Sequence, residues 1–154
     1  MRLEPYLKPG RTLILESAKD RDDVLRRLAE AAAGQLSGVD ASRIERALLD
    51  REAQMATSAP EGVAFPHGLL PGLHETLVLV AAVRPAVAFG STKHPPVDLV
   101  FAMFGPAEAP WQHLSLLARL ARIAHFEGAL DRLRACQTSE ALLDSVLAED
   151  RALC

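Results

Sequence analysis

Apolar positions along this chain alternate between two periods, and the switches mark its elements. Thr12-Leu13-Ile14-Leu15-Glu16 reads as a strand, with the polar run Ser17 to Asp20 suited to a turn and a helix cap. From Asp22, Val24, Leu25, Leu28, Ala31 and Ala32 recur at helical spacing, while Arg21, Arg26 and Arg27 fall mostly off that stripe. The helix ends near Gly34. Asp40 to Gln54 repeats the pattern, with Asp40 as cap, Ile44, Ala47 and Leu48 on one face, and an end near Arg51-Glu52.

Met55 to Glu61, rich in Thr, Ser and Pro, predicts a loop, and Val63-Ala64-Phe65 a short strand stopped by Pro66. Two apolar runs, Thr76 to Val83 and Val97 to Phe104, have the continuous hydrophobicity of central strands covered on both faces. Between them, Ala86 to Gly90 is expected as an edge strand and Ser91 to Pro96 as its exposed connection. Pro110 to His125 predicts a long helix with Leu116, Leu117, Leu120, Ile123 and Ala124 on one face. Shorter helices follow at Glu127 to Arg134 and, capped by Ser139, at Ser139 to Leu147. Strands separated by helices of this size predict one α/β domain over residues 1–154, with a sheet covered by helices in three layers.

Composition narrows the function. With 49% hydrophobic and 24% charged residues, the chain has material for a core and a wet surface. Its apolar runs are far shorter than the roughly 20 residues that span a bilayer, and Met1 to Pro5 lacks the basic-then-apolar pattern of a secretory signal. A cytoplasmic protein without membrane insertion is expected. Cys136 and Cys154 have no CxxC spacing, which argues against a disulfide framework or a zinc site. A net charge of −3 without basic runs makes nucleic acid a poor partner. Neither GxxxxGK[ST] nor GxGxxG occurs, so no nucleotide cradle is predicted.

Chemistry concentrates at Gly62-Val63-Ala64-Phe65-Pro66-His67-Gly68. Pro66 holds Phe65 extended and fixes its own φ, pinning His67 at a strand end, while Gly68 leaves the following backbone free to adopt unusual angles. A neutral imidazole is a good nucleophile near neutral pH, and a phosphohistidine passes its phosphoryl group on readily. The tripeptide alone also fits a turn histidine bonded to a nearby carbonyl. His113, on the Leu116/Leu120 face, is either a core histidine or, with the free N–H groups of a first helical turn, a stabiliser of a phosphoryl group. Arg51 is either a solvated helix-terminal cation or a fork-like clamp for phosphoryl oxygens. His74, His94 and His125 read as ordinary surface histidines.

At Arg51-Glu52, Thr57 and Gly62 to Gly68 the chain resembles the fructose/mannitol/nitrogen-type IIA family of the bacterial phosphotransferase system. The likeness extends to the Leu-Glu-Pro start, to Pro96 to Phe101 before Gly105-Pro106, and to His113 to Ala121. It implies a mixed sheet flanked by helices, a phosphorylated histidine at His67, a second active-site histidine at His113 and the nearby arginine at Arg51. It also implies a phosphoryl route from phosphoenolpyruvate through enzyme I and a histidine-containing phosphocarrier protein, with no metal or nucleotide cofactor. The family's Gly-Ser-Thr-Gly-x-Gly loop is Met55-Ala56-Thr57-Ser58-Ala59-Pro60 here, which changes the allowed backbone angles and removes a hydroxyl at Ala56.

Three functions follow. The first is a nitrogen-type regulator that changes binding partners when His67 is phosphorylated. The second is a sugar-transport component passing the phosphoryl group to a IIB domain. The third is a degenerate binding module that is never phosphorylated. No IIB or membrane domain is appended in the chain, which leans toward the regulator.

Overall fold

The computed structural model describes residues 1–153; Cys154 lies outside the described residues. Eleven elements run in the order β1 (Thr12–Glu16), α1 (Arg21–Gln35), α2 (Ala41–Gln54), β2 (Ser58–Ala59), β3 (Val63–Ala64), β4 (His67–Leu70), β5 (Leu77–Val87), β6 (Val97–Pro106), α3 (Pro110–His125), α4 (Ala129–Arg134) and α5 (Ser139–Ala152). One mixed sheet has the order β1-β5-β6-β3-β2, and β4 also pairs with β6. β5 and β6 are antiparallel, whereas β1 joins β5, and β3 and β4 join β6, in parallel.

Strand periodicity divides β5 and β6 between two cores. Leu77, Leu79, Ala81 and Val83, with Val100, Ala102 and Phe104, pack beneath Val24, Leu25 and Leu28 of α1 and Ile44 and Leu48 of α2. Val78, Val80 and Ala82, with Leu99, Phe101 and Met103, face Leu116, Leu120 and Ile123 of α3, Leu133 of α4 and Leu142 and Val146 of α5. Both faces of the central pair are thus covered, which is why these strands carry unbroken apolar runs. The expected three-layer α/β sandwich is what the chain forms. No helix among the described residues is long and apolar enough to cross a membrane.

Helix ends follow local chemistry. Asp20 caps α1 by accepting from the Asp23 N–H at 2.9 Å. Asp40 occupies the cap of α2 but makes no side-chain cap bond; its carbonyl alone accepts from Arg43 and Ile44. Thr138, not Ser139, caps α5, accepting from the Ala141 N–H at 3.1 Å, because the extended cap residue must precede the first helical one. The far ends of the chain are tied by buried Asp150, which accepts from Leu3 N at 2.8 Å and from Arg119 Nε at 2.6 Å.

Three further expectations are corrected. The stretch from Met55 to Glu61 is not all loop, because Ser58–Ala59 pairs antiparallel with Val63–Ala64 through a turn at Gly62 (φ +79), where an added Cβ would lie 3.3 Å from the Pro96 carbonyl and Arg134. Ala86 to Gly90 forms no separate edge strand: β5 continues to Val87, which pairs with Val97 at the centre of the sheet after a register shift beyond Ala82. Finally, His67 opens a strand as well as following one. Pro66 interrupts the ladder, yet its carbonyl accepts from Met103 N at 3.0 Å, so β3 and β4 run as one kinked strand along β6.

Phe101 is fully buried in the α3 side of the sheet and stacks on Phe65, with ring centroids 5.6 Å apart. Phe101→Ala is expected to cost about 3–5 kcal/mol in urea unfolding, whereas exposed Ala148→Ser stays within about 0.5 kcal/mol.

Candidate active site

The kink at Pro66 presents His67 at the start of β4, beside the last turn of α2 and the first turns of α3. Its ring orientation is set by its own strand: Nδ1 lies 2.8 Å from the Phe65 carbonyl oxygen. A carbonyl only accepts, so Nδ1 carries the proton and Nε2 keeps the lone pair. Arg51 Nε donates to that same Nε2 at 3.2 Å, which agrees with the assignment. Gly68 plays a different part from the one its sequence suggests. It is extended within β4, and an added Cβ would touch Ala47 Cβ at 3.5 Å, so its value is the close approach of α2.

Arg51 lies in the last turn of α2 and is held at its other edge by Nη1 donating to the Met55 carbonyl at 2.8 Å. α2 extends to Gln54, past the expected end at Arg51-Glu52, so Arg51 sits within its last turn at the edge of the cleft. His113 faces His67 from α3, ring centroids 5.2 Å apart and planes inclined by 59°. It is buried with Leu116 and Leu120 on the core face, as its spacing predicts. The first turn of α3 is anchored by Gln112, whose side chain accepts from Thr76 Oγ1 at 2.8 Å and donates to Tyr6 Oη at 3.1 Å. Ala109 offers no side-chain cap and Pro110 has no N–H, leaving the N–H groups of Trp111 and Gln112 at an open helix start.

These elements enclose an open cleft of about 450 Å³ lined by Ala47, Asp50, Arg51, Gln54, His67, Gly68, Leu69 and His113. Arg51, His67 and His113, 62 residues apart along the chain at their extremes, therefore meet in one place. His74 and His125 are remote and exposed, the latter contacting Glu61 Oε1 at 3.0 Å. His94 is half-buried, with Nδ1 3.2 Å from Ser58 Oγ, and belongs to the loop packing rather than the cleft.

Electrostatics keep both facing rings neutral. Burial lowers the His67 pKa most, the Phe65 carbonyl opposes it, and Arg51 lowers it further while Glu52 raises it. Burial, then the neighbouring His67, lowers His113 to about 4. His113 Nδ1 is enclosed with no hydrogen-bond partner among the described residues. An enclosed N–H without an acceptor is the rarer orphan, so the ring proton belongs on Nε2. The site then pairs a lone pair on His67 Nε2 with donors on Arg51 and His113, an arrangement suited to attack on a phosphorus atom and stabilisation of its oxygens.

Residues 5–149 match the model of the phosphoenolpyruvate-dependent sugar phosphotransferase system EIIA 2 family. The chain belongs to this family. It is 34% identical over 147 residues to a nitrogen regulatory protein of Pseudomonas aeruginosa, with 96% of each chain covered. Its fold matches that of nitrogen regulatory protein IIA-Ntr from Neisseria meningitidis with a TM-score of 0.81 at 21% identity, covering 91% of this chain and 96% of the other. Enzyme IIAMTL of Escherichia coli, solved in complex with phosphorylated enzyme IIBMTL, matches with a TM-score of 0.76 at 19% identity, covering 92% of this chain and 97% of that one. The EIIA 2 chain described here thus has the IIA fold and nitrogen-regulatory relatives.

The depressed His113 value fixes a pH dependence. In the unfolded chain a histidine binds its proton near pH 6.5, but His113 in the folded chain does so only near 4. Its contribution is therefore fully present above pH 6.5 and is lost as pH falls toward about 4. Chemical unfolding across this window is expected to show a steeper loss of stability for wild type than for His113→Phe, the difference being on the order of 2–3 kcal/mol.

Proposed function

We propose that the chain is a phosphoryl carrier of the nitrogen-regulatory type, accepting its phosphoryl group on His67 from a histidine-containing phosphocarrier protein. The observation that carries this reading is the Nε2 lone pair of His67, aimed into an open cleft between Arg51 and His113. In the transfer, that lone pair forms a bond to phosphorus as the donor's phosphorus–nitrogen bond breaks, and the bonding electrons return to the donor ring. The proton on His67 Nδ1 stays in place, held by Phe65. Arg51 turns from Nε2 to the phosphoryl oxygens, and His113 Nε2–H donates to another.

Exposed apolar side chains favour a protein donor over a small molecule. Trp111 and Leu114 flank His113, Leu69 lines the cleft, and Met55 sits on the loop that Arg51 holds; their exposures are 61%, 65%, 38% and 70%. A rim of this kind suits a docking partner that excludes water from the transfer. The full-length likeness to nitrogen regulatory proteins favours a regulatory output, in which the added charge alters binding to a target. A sugar-transport role, handing the group to a IIB domain, is the second reading, favoured by the complex of the structurally similar IIAMTL with phosphorylated IIBMTL.

With phosphoenolpyruvate, enzyme I and the phosphocarrier, intact mass is expected to show one acid-labile phosphoryl adduct on wild type and none on His67→Ala. Arg51→Met is expected to slow labelling about 100-fold. Leu114→Glu should raise KM for the phosphocarrier about tenfold or more with a smaller change in kcat. An unlabelled wild type beside an active donor system leaves the binding-only module as the function. Labelled protein that passes its group rapidly to a sugar-specific IIB domain would make transport the output.

A further inference from the structure

Glu52 is a buried carboxylate one residue beyond Arg51, 3% exposed, and the transfer chemistry above makes no use of it. Both of its oxygens are committed to one residue. Oε2 accepts from Thr57 N at 3.1 Å, and Oε1 accepts from the Thr57 hydroxyl. Thr57 in turn presents its carbonyl to Phe65 N at 3.1 Å, and the Phe65 carbonyl receives the His67 Nδ1 proton at 2.8 Å. One connected path therefore runs from the last turn of α2, through the loop that departs from the family pattern, to the imidazole.

We infer that Glu52 is a positioning residue which, through Thr57 and Phe65, holds the His67 ring in the tautomer that presents Nε2 to the cleft. The arrangement has two parts. Charge-assisted bonds from a carboxylate to both Thr57 donors fix the loop more firmly than neutral bonds would, and this fixes the Phe65 carbonyl that selects the protonated ring nitrogen. Arg51 braces the same loop at the Met55 carbonyl, so adjacent residues of one helix hold it at two points, 55 and 57.

A glutamine at this position accepts from the Thr57 N–H through its carbonyl and turns its N–H₂ to the Thr57 hydroxyl oxygen, so two charge-assisted bonds become two weaker neutral ones. The inference rests on His67 being the phosphoryl acceptor only for its kinetic consequence; the tautomer is measured on the free protein. Long-range 1H–15N NMR of wild type is expected to show His67 as a single Nδ1–H tautomer. Glu52→Gln and Thr57→Val are expected to give mixed tautomers, while Thr57→Ser, which keeps the hydroxyl, retains the wild-type pattern. In phosphorylation by the phosphocarrier, Glu52→Gln and Thr57→Val should lose about tenfold in kcat with KM within twofold, and Thr57→Ser should recover most of it.

Should Glu52→Gln unfold, Thr57→Val decides, since it removes a single hydroxyl at nearly constant volume. Folded variants with an unchanged His67 tautomer overturn the inference. If wild type takes no phosphoryl group, the carrier reading fails, and the tautomer comparison still decides the role of Glu52.

Discussion

The hydrogen bond from His67 Nδ1 to the carbonyl of Phe65 is the constraint on which the site's chemistry depends. It spans only two residues, so it demands that the backbone between them be held in one shape, and Pro66 supplies that by fixing its own φ and restricting Phe65. The sheet does the rest. Pairing of β3 and β4 with β6 on either side of the proline leaves the kink no freedom to relax, and the Pro66 carbonyl itself is tied to Met103. A histidine on a free loop could form the same bond, but only transiently and at an entropic cost.

From that fixed ring the rest of the cleft is a matter of delivering two partners from opposite layers of the sandwich. α2, from the layer above one face, brings Arg51 to Nε2; α3, from the layer on the other face, brings His113 across from the ring. Each helix is set by apolar packing that has nothing to do with phosphate, Ile44 and Leu48 for α2, Leu116 and Leu120 for α3. The close approach of α2 is permitted by Gly68, and the start of α3 is pinned by Gln112 between Thr76 and Tyr6. Burial within this arrangement keeps the two rings neutral near pH 7 even though they face each other at 5.2 Å.

Much of this was legible in the sequence because it is written in periodicity. The helix stripes and the unbroken runs of β5 and β6 encode which faces are covered, and they predict the layers correctly. What periodicity does not encode is pairing across gaps. β2 and β4 are two and four residues long, and they hold because β3 and β6 offer them partners, so nothing within Ser58–Ala59 or His67–Leu70 announces a strand. The same limit hid the continuation of β5 to Val87 past Pro85. His67, Arg51 and His113 stood out by residue type and family resemblance, and the fold brings them into one cleft. Glu52 and Thr57 belong to the motif, but their mutual bonding depends on a loop shape that no spacing rule predicts.

Phosphoryl transfer to His67 Nε2, as proposed, is read out by 31P–15N coupling in the NMR spectrum of 15N-labelled protein after phosphorylation by its donor. A phosphorus coupled to His67 Nε2, with the Nδ1 proton retained, is expected; a phosphorus coupled to Nδ1, or to any other residue, overturns the proposal.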